Sequence, residues 1–378
     1  MMGGRTWDEW IEEYSESHQH PVNKLMHTFG IPMIAISLLL IPVSFFVAGM
    51  WRFALGLFVL GWILQFIGHY FEGKPPEFMK DYRFLFVGLR TEPYSFASVA
   101  IDGANGMLTH LGNAPAVAST PYICADATGR FLLAAYNPEA GTRRTGWISV
   151  SAIGPHGHLQ PPHQVIRTPP KTHAILRDPS NRFVFASSCD GDMMVRYAFD
   201  AATGLLNPDA LPPVLVQPKS GPRHFVFHPN YRFMYLLNEY DGSLYSFSYD
   251  ARNGALSEIQ VSSAVPPDWD KEKIARAADL HFTPDGKWLY ASVRASLSIA
   301  VFRVEGVTGL LTPAGHFPAA KEPRGFNIDP FGRYLIAAGL HTNTLTVNKI
   351  DAETGALMKL ADYPTGDGPN WIEFVRLQ

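Results

Sequence analysis

Gly129-Arg-Phe-Leu-Leu-Ala-Ala, Asn181-Arg-Phe-Val-Phe-Ala-Ser, Tyr231-Arg-Phe-Met-Tyr-Leu-Leu, Gly286-Lys-Trp-Leu-Tyr-Ala-Ser and Gly332-Arg-Tyr-Leu-Ile-Ala-Ala are one motif written five times. Successive copies start 46 to 55 residues apart. Each begins with a turn and becomes an apolar strand. A second motif interleaves with the first: Asp102-Gly-Ala-Asn-Gly, Asp200-Ala-Ala-Thr-Gly, Asp250-Ala-Arg-Asn-Gly and Asp351-Ala-Glu-Thr-Gly, with a variant at Gly306-Val-Thr-Gly. These read as tight turns before an outer strand. Four strands in every ~40–50 residues is the pattern of a β-propeller.

The blades can be counted. Five are complete, near 119–165, 170–215, 221–263, 277–316 and 322–361. The ends are fragments: 94–112 supplies outer strands and 368–378 one inner strand. Pairing of these two ends would close the ring. The expected fold class is an all-β propeller, with six blades or an incomplete seven-bladed ring, preceded by a two-helix transmembrane hairpin.

That hairpin is read from the first 90 residues. Ile31 to Met50 carries no charge, and Trp51 to Gly68 carries only Arg52. A span needs roughly 20 apolar residues, so both runs qualify by length. Pro42 predicts a kink. A two-span hairpin returns the chain to the side it left, and Lys74, Lys80, Arg83 and Arg90 favour the cytoplasmic side. The expectation is therefore a multi-pass membrane protein with membrane lipid as a partner. Its domains are a hairpin over 1–90 and a propeller over 91–378.

Net charge is −3, which argues against nucleic acid, because duplex binding relies on Lys and Arg at the phosphates. Cys124 and Cys189 are the only cysteines and form no CxxC, which excludes a cysteine zinc cluster and fits a reducing compartment. Both read as core thiols. Thirty Pro and 32 Gly suit a turn-rich β protein.

Histidines cluster at the hairpin's ends. His18, His20 and His27 precede the first apolar run, and His69 ends the second. Asn23 with His27 (i,i+4) and His69 with Glu72 (i,i+3) can each share a helix face. His plus carboxylate suits Fe(II) or Zn(II).

Two resemblances follow from these residues. Glu13-Tyr14, His18, Asn23-Lys24, His27, Gly30, Pro32, Gly68-His69, Phe71-Glu72 and Lys74-Pro75-Pro76 resemble the small membrane proteins related to the iron-dependent 2-hydroxy fatty acid dioxygenase. That resemblance implies Fe(II) held by His18, His27 and His69, with Asn23 and Glu72 nearby, and His20 outside the motif. The longer stretch resembles the lactonase propellers, which include 6-phosphogluconolactonase and the carboxymuconate-lactonising enzymes. It rests on Gly221-Pro-Arg-His-Phe-Val-Phe-His-Pro, Asn238-Glu239, Asp279-Leu-His-Phe-Thr-Pro-Asp-Gly, Pro323-Arg-Gly-Phe-Asn and Gly366-Asp-Gly-Pro-Asn-Trp. That family has seven blades, and about one blade's worth of sequence is absent here. Tyr82-Arg-Phe-Leu-Phe-Val-Gly-Leu-Arg fits both families.

Lactone hydrolysis needs a polarised carbonyl, an activated water and stabilisation of an oxyanion. An anionic substrate also needs cations, for which Arg gives bidentate geometry. Loops opening on the central channel hold His173, Arg223, His224, Glu239, His281, Arg294, Arg324 and Asn370. Glu239 is a candidate general base or acid, His173 a second proton-transfer candidate, and Arg223 and Arg294 candidates for the developing charge. The resemblance to the muconate-lactonising branch points to the same four residues. His224, His281, Arg324 and Asn370 are candidate substrate contacts. No cofactor is expected for the propeller. The leading expectation is hydrolysis of a small anionic sugar lactone, 6-phosphogluconolactone first. The alternatives are an Fe(II) dioxygenase carried by residues 1–90 and a non-catalytic propeller scaffold.

Overall fold

The computed structural model describes residues 21–44, 46–47, 49–72, 84–103, 105–137, 145–208 and 211–375. The chain divides into two compact units, Met1–Asp81 and Tyr82–Gln378.

In the first unit, helix α1 (Pro21–Val43) and helix α2 (Met50–Glu72) pack on each other. Gly61 permits the close approach: a Cβ there would come 2.7 Å from Ile34 Cγ1 and 2.9 Å from the Gly30 carbonyl. Among the described residues no helix is long and apolar enough to cross a membrane. This corrects the expected multi-pass localisation, and neither the expected transmembrane hairpin nor the membrane-lipid partner finds support. The expectation rested on the length and low charge of the two runs. Pro32, Ser37, Pro42 and Ser44 lie within the first and Arg52 and Gln65 within the second, with His69 directly after it.

The second unit is a six-bladed β-propeller. Blade 1 has three strands, β1 (Phe84–Leu89), β2 (Ser95–Ile101) and β3 (Leu108–Pro115). Blade 2 is β4 (Tyr122–Ala125), β5 (Phe131–Tyr136), β6 (Gly146–Ile153) and β7 (Leu159–Thr168). Blade 3 is β8 (Thr172–Arg177), β9 (Phe183–Ser188), β10 (Met193–Asp200) and β11 (Leu205–Pro208), with β12 (Val214–Leu215) also on β10. Blade 4 is β13 (Pro222–Phe227), β14 (Phe233–Asn238), β15 (Ser243–Asp250) and β16 (Ala255–Ser263). Blade 5 is β17 (Ala277–Phe282), β18 (Trp288–Val293), β19 (Ser298–Val304) and β20 (Leu311–Pro318). Blade 6 is β21 (Pro323–Ile328), β22 (Tyr334–Gly339), β23 (Thr344–Ile350) and β24 (Leu357–Pro364). All described pairings are antiparallel.

The repeated motif is the second strand of each blade. That strand is covered by neighbouring blades on both faces, so it reads as a continuous apolar run rather than an alternating one. All six residues of β5, β14 and β18 are buried. The two motifs recur together because they touch. Gly204, Gly254, Gly309 and Gly355 close the turns before each fourth strand in the left-handed region, which suits glycine. A Cβ on these glycines would meet Phe131, Phe183, Phe233 and Trp288, each the first strand residue of the motif in the preceding blade. Tyr235 and Tyr290, both fully buried, donate their hydroxyls to the carbonyls of Gly309 (2.8 Å) and Gly355 (2.9 Å). Apolar clusters join blades 1 to 2, 2 to 3, 3 to 4, 4 to 5 and 5 to 6.

Strand β1 assigns Phe84–Leu89, common to both resemblances, to the propeller: it pairs with β2 from Phe84↔Ala100 to Leu89↔Ser95. The expected junction at 90/91 therefore follows a propeller strand. Blade 1 lacks an inner strand. Among the described residues the expected pairing of 368–378 with this blade is not found: residues 365–375 form no strand, and 376–378 lie outside the described residues. The physical reason is local, because Pro369 has no N–H to donate and Gly366 and Gly368 weaken an extended run. The segment is held by side chains instead. Asn327 on β21 donates to the Ile372 carbonyl (3.1 Å), and Trp371 packs edge-on against Tyr122 on β4 with ring centroids 5.3 Å apart. It spans the inner strands of blades 6 and 2.

Candidate active site

The first strand of a blade is antiparallel to the second, so the start of one and the end of the other lie at the same end of the propeller. In blades 3 to 6 the inner strand carries a β-bulge near its start, between Thr172 and Ala174, Pro222 and His224, Ala277 and Leu280, and Pro323 and Gly325. The skipped residues are His173, Arg223, Ala278 with Asp279, and Arg324. A bulge re-aims a side chain without moving the sheet. The residue before each strand, Lys171, Gly221, Arg276 and Glu322, has a positive φ of 51°, 75°, 53° and 59°. A non-glycine residue held there costs about 1–2 kcal/mol, and such strain clusters at functional sites.

Glu239 follows β14 and is the centre of the first group. Its Oε2 accepts from Arg223 Nη1 at 2.7 Å, and its Oε1 from Arg294 Nη2 at 3.1 Å, with Lys171 Nζ 3.8 Å away. Arg294 also faces Glu322 at 3.5 Å, and Arg276 pairs with Glu322 at 2.6 Å. Backbone carbonyls complete the two arginines: Arg223 Nε donates to Ala278 O (2.8 Å) and Arg294 Nε to Arg276 O (2.7 Å). Burial raises the Glu239 carboxyl, but Arg223, Lys171 and Arg294 outweigh it and hold it at about 2. Glu239 is thus an ionised clamp at neutral pH. Cys189 lies behind it, its Sγ 4.0 Å from Glu239 Oε2, and burial beside that carboxylate pushes the thiol up.

Arg324 makes no ion pair or hydrogen bond among the described residues. Burial, then the charges of Arg223, Arg294 and Arg90, lower it to about 10. Cations outnumber carboxylates here: Lys171, Arg223, Arg276 and Arg294 share Glu239 and Glu322, and Arg324 adds a fifth positive charge. The surplus favours an anion.

The second group is imidazole. His173 and His224 are buried, with ring centroids 5.2 Å apart. His224 Nδ1 meets Asp279 Oδ1 at 2.8 Å, and His281 Nε2 meets Asp279 Oδ2 at 3.3 Å. Burial would raise Asp279, yet His281 and His224 keep it well below the usual carboxylate range. Burial also lowers His224, with Asp279 offsetting part of it. His173 is lowered well below 6.5, first by burial and then by Arg223, His224, Arg324 and Lys171. Asp279 overcomes burial at His281 and raises it.

The structure therefore brings Glu239, Arg223 and Arg294 together and sets His173, His224 and His281 beside them. Asn370 stands apart: it is exposed, its side chain bonds none of these groups, and its carbonyl lies against Gly325. Sequence reasoning missed Lys171, Glu322 and Asp279. Alignment of the repeats on Gly221 would have flagged the first two, because they hold the same left-handed position. Asp279 sits two residues before His281 in a stretch read only as a family motif. The expected ligands His18, Asn23, His27, His69 and Glu72 have side chains outside the described residues. Among the described residues no group of three or more His, Cys, Asp or Glu could hold a metal.

Comparison with known proteins now adds the family. Residues 64–374 match the family described as lactonase, 7-bladed beta-propeller, and residues 5–96 match 2-hydroxy-palmitic acid dioxygenase Mpo1-like. A 6-phosphogluconolactonase of Pectobacterium carotovorum is 36% identical over 304 residues, covering 80% of this chain and 88% of that one. That of Erwinia tasmaniensis is 33% identical over 315 residues, covering 83% and 92%. In the solved periplasmic gluconolactonase of Pseudomonas aeruginosa the same fold returns at 24% identity, with a TM-score of 0.72 over 78% of this chain and 86% of that one. With one blade fewer than its family's seven, the chain belongs to the lactonase β-propellers.

Proposed function

We propose that the propeller hydrolyses the cyclic ester of a phosphorylated sugar lactone, 6-phosphogluconolactone first. The observation that carries this reading is a neutral buried imidazole beside a surplus of arginine. His173 takes a proton from water as the water attacks the lactone carbonyl carbon. Arg223 and Arg294, held by Glu239, stabilise the oxyanion that forms. The C–O ring bond then breaks, and His173 returns its proton to the departing ring oxygen. The new carboxylic acid ionises in solvent, so the balance is lactone plus water to hydroxy acid. This division places proton transfer on His173 rather than Glu239, because a carboxylate held at about 2 is a weak base. The family likeness and the curated relatives support the reaction class.

Arg324 would hold the phosphate, being the site's cation without an ion pair among the described residues. The test is hydrolysis of 6-phosphogluconolactone against unphosphorylated gluconolactone. Wild-type protein is expected to prefer the phosphorylated lactone. Arg324→Ala should raise its KM by about 10²-fold, the loss of roughly 2–3 kcal/mol from a charge-assisted contact. kcat and the unphosphorylated substrate should change little. Equal KM values for both lactones in both proteins would remove Arg324 from the site.

The match over residues 5–96 favours a second, separate activity, Fe(II)-dependent oxidation of a 2-hydroxyacyl chain by O2. Iron would then co-purify at about one per chain, as a His-rich site for Fe(II) implies, and His27→Ala would lose it with lactone hydrolysis intact. Metal-free protein that still oxidises the chain would end that reading.

A further inference from the structure

Every blade carries a second strand of six residues. In blade 1 that strand is β1, because Arg83-Phe-Leu-Phe-Val-Gly reads against Arg130-Phe-Leu-Leu-Ala-Ala of the repeated motif. The residue directly after each second strand therefore holds the same place in its blade. These residues are Arg90, Asn137, Cys189, Glu239, Arg294 and Leu340. In blades 2 to 6 this residue donates its N–H to a carbonyl ahead of its own inner strand: Asn137 to Ser119, Cys189 to Lys171, Glu239 to Gly221, Arg294 to Arg276 and Leu340 to Glu322. Ser119 is thus the blade 2 counterpart of Glu322 in blade 6. Glu239 and Arg294 already belong to the site, and Arg90 is their counterpart in blade 1.

The side chains repeat a contact as well. Arg294 reaches from blade 5 to Glu322 at the head of blade 6, 3.5 Å away. Arg90 reaches from blade 1 to Ser119 at the head of blade 2, where its Nε donates to Ser119 Oγ at 3.1 Å. The place is the same but the charge is not. Glu322 is a carboxylate, whereas the Ser119 hydroxyl is neutral and leaves the Arg90 charge whole. A guanidinium has five N–H groups, and this bond uses one. Both terminal nitrogens of Arg90 lack a hydrogen bond or ion pair among the described residues. Arg90 is exposed, while Arg223 and Arg294 are buried. Desolvation by the surrounding protein, then the charge of Arg223, nevertheless lowers it, and its own charge helps to lower Arg324. A side chain that solvent reaches while protein surrounds it lines a concave wall. The cations therefore divide by blade. Arg223 and Arg294, of blades 4 and 5, meet carboxylates; Arg324 and Arg90, of blades 6 and 1, do not.

We infer that Arg90 is the second half of the phosphate subsite, binding the phosphate of the lactone together with Arg324, with its Nε fixed by Ser119 and its two terminal nitrogens free for two phosphate oxygens. A phosphate monoester carries about −1.5 to −2 at pH 7, so a single arginine leaves it partly uncompensated and two match it. The planar fork of arginine suits two oxygens at once. Ser119 is a positioning residue that holds one end of the fork. The inference rests on the reading of the substrate as a phosphorylated lactone.

The experiment joins steady-state kinetics on 6-phosphogluconolactone and gluconolactone to calorimetric titration with 6-phosphogluconate, all in the full chain. Arg90 is exposed, so its removal opens no cavity in the core. Arg90→Ala should lower the ratio of kcat/KM for the phosphorylated over the unphosphorylated lactone by about 10²-fold, as the loss of a charge-assisted contact implies. Arg90→Lys keeps the charge without the fork and should recover about 10-fold of that loss. An Arg90→Ala ratio equal to that of wild type overturns the inference. If wild-type protein hydrolyses neither lactone, the proposed reaction fails, and the titration decides the subsite alone. Wild type should then bind 6-phosphogluconate about 10²-fold more tightly than Arg90→Ala, and equal affinities, or binding by neither, overturn it.

Discussion

His173→Gln is expected to lower kcat for 6-phosphogluconolactone by about 10³-fold, within the range for losing a general base, with KM nearly unchanged. Gln matches the polarity of neutral imidazole but cannot accept and return a proton. His173 sits among the cations Arg223, Arg324 and Lys171, which disfavour a second positive charge beside them. The neutral ring is the active form. Activity in wild-type protein should therefore hold as pH falls past 6.5, and its acid limb should lie below that value. Arg324→Ala removes one of the neighbouring charges and should move the limb upward. A kcat for His173→Gln within a few-fold of wild type would take the proton-transfer role away from His173.

Glu239→Gln is expected to reduce both stability and turnover. The folded carboxyl is held at about 2 against an ordinary 4.5. At about 1.4 kcal/mol per unit, the clamp is worth on the order of 3 kcal/mol at neutral pH. The sign follows from the depressed value: this stability is present above 4.5 and is lost as pH falls toward 2. Breaking a buried pair from one side costs about 3–5 kcal/mol, because Arg223 and Arg294 remain buried with their charges uncompensated. Turnover should fall by about 10²-fold as the two guanidiniums lose their aim. Urea unfolding at pH 7 and at pH 3 measures the first effect. Wild type should weaken between the two and Glu239→Gln should weaken less. Equal stability of the two proteins at pH 7 would show that the clamp is not holding the arginines.

Much of the propeller was legible because its repeats obey local rules. A second strand covered on both faces must be apolar throughout, and a turn that a neighbouring aromatic ring touches must be glycine. Phe131 against Gly204 and Trp288 against Gly355 satisfy both rules at once, so the two motifs were visible as a pair. The site was legible only by residue type. Arg223, Glu239 and Arg294 are unusual residues at repeat-equivalent places, but nothing local says that one carboxylate would be shared by three cations. Lys171 and Glu322 were missed because a left-handed backbone at a charged residue carries no local signal, and only alignment of the repeats on Gly221 places them with it. The hairpin was misjudged for a related reason. The two runs were judged by length and low charge, while Pro32, Ser37, Pro42 and Ser44 in the first and Arg52 and Gln65 in the second lower their apolar character.

By itself the sequence determined the β-propeller class, the number of second strands and the identity of the polar residues near the axis, because strand period, turn chemistry and burial are set by neighbours along the chain. The tertiary structure alone decided that His173, Arg223, Asp279 and Arg324 are bulged residues, that Glu239 accepts from both Arg223 and Arg294, and that 370–373 packs without pairing. These depend on side chains 50 or more residues apart meeting across blades, as in Arg294 with Glu239 and His224 with Asp279. Charge, burial and tautomer are properties of that meeting and of no single segment.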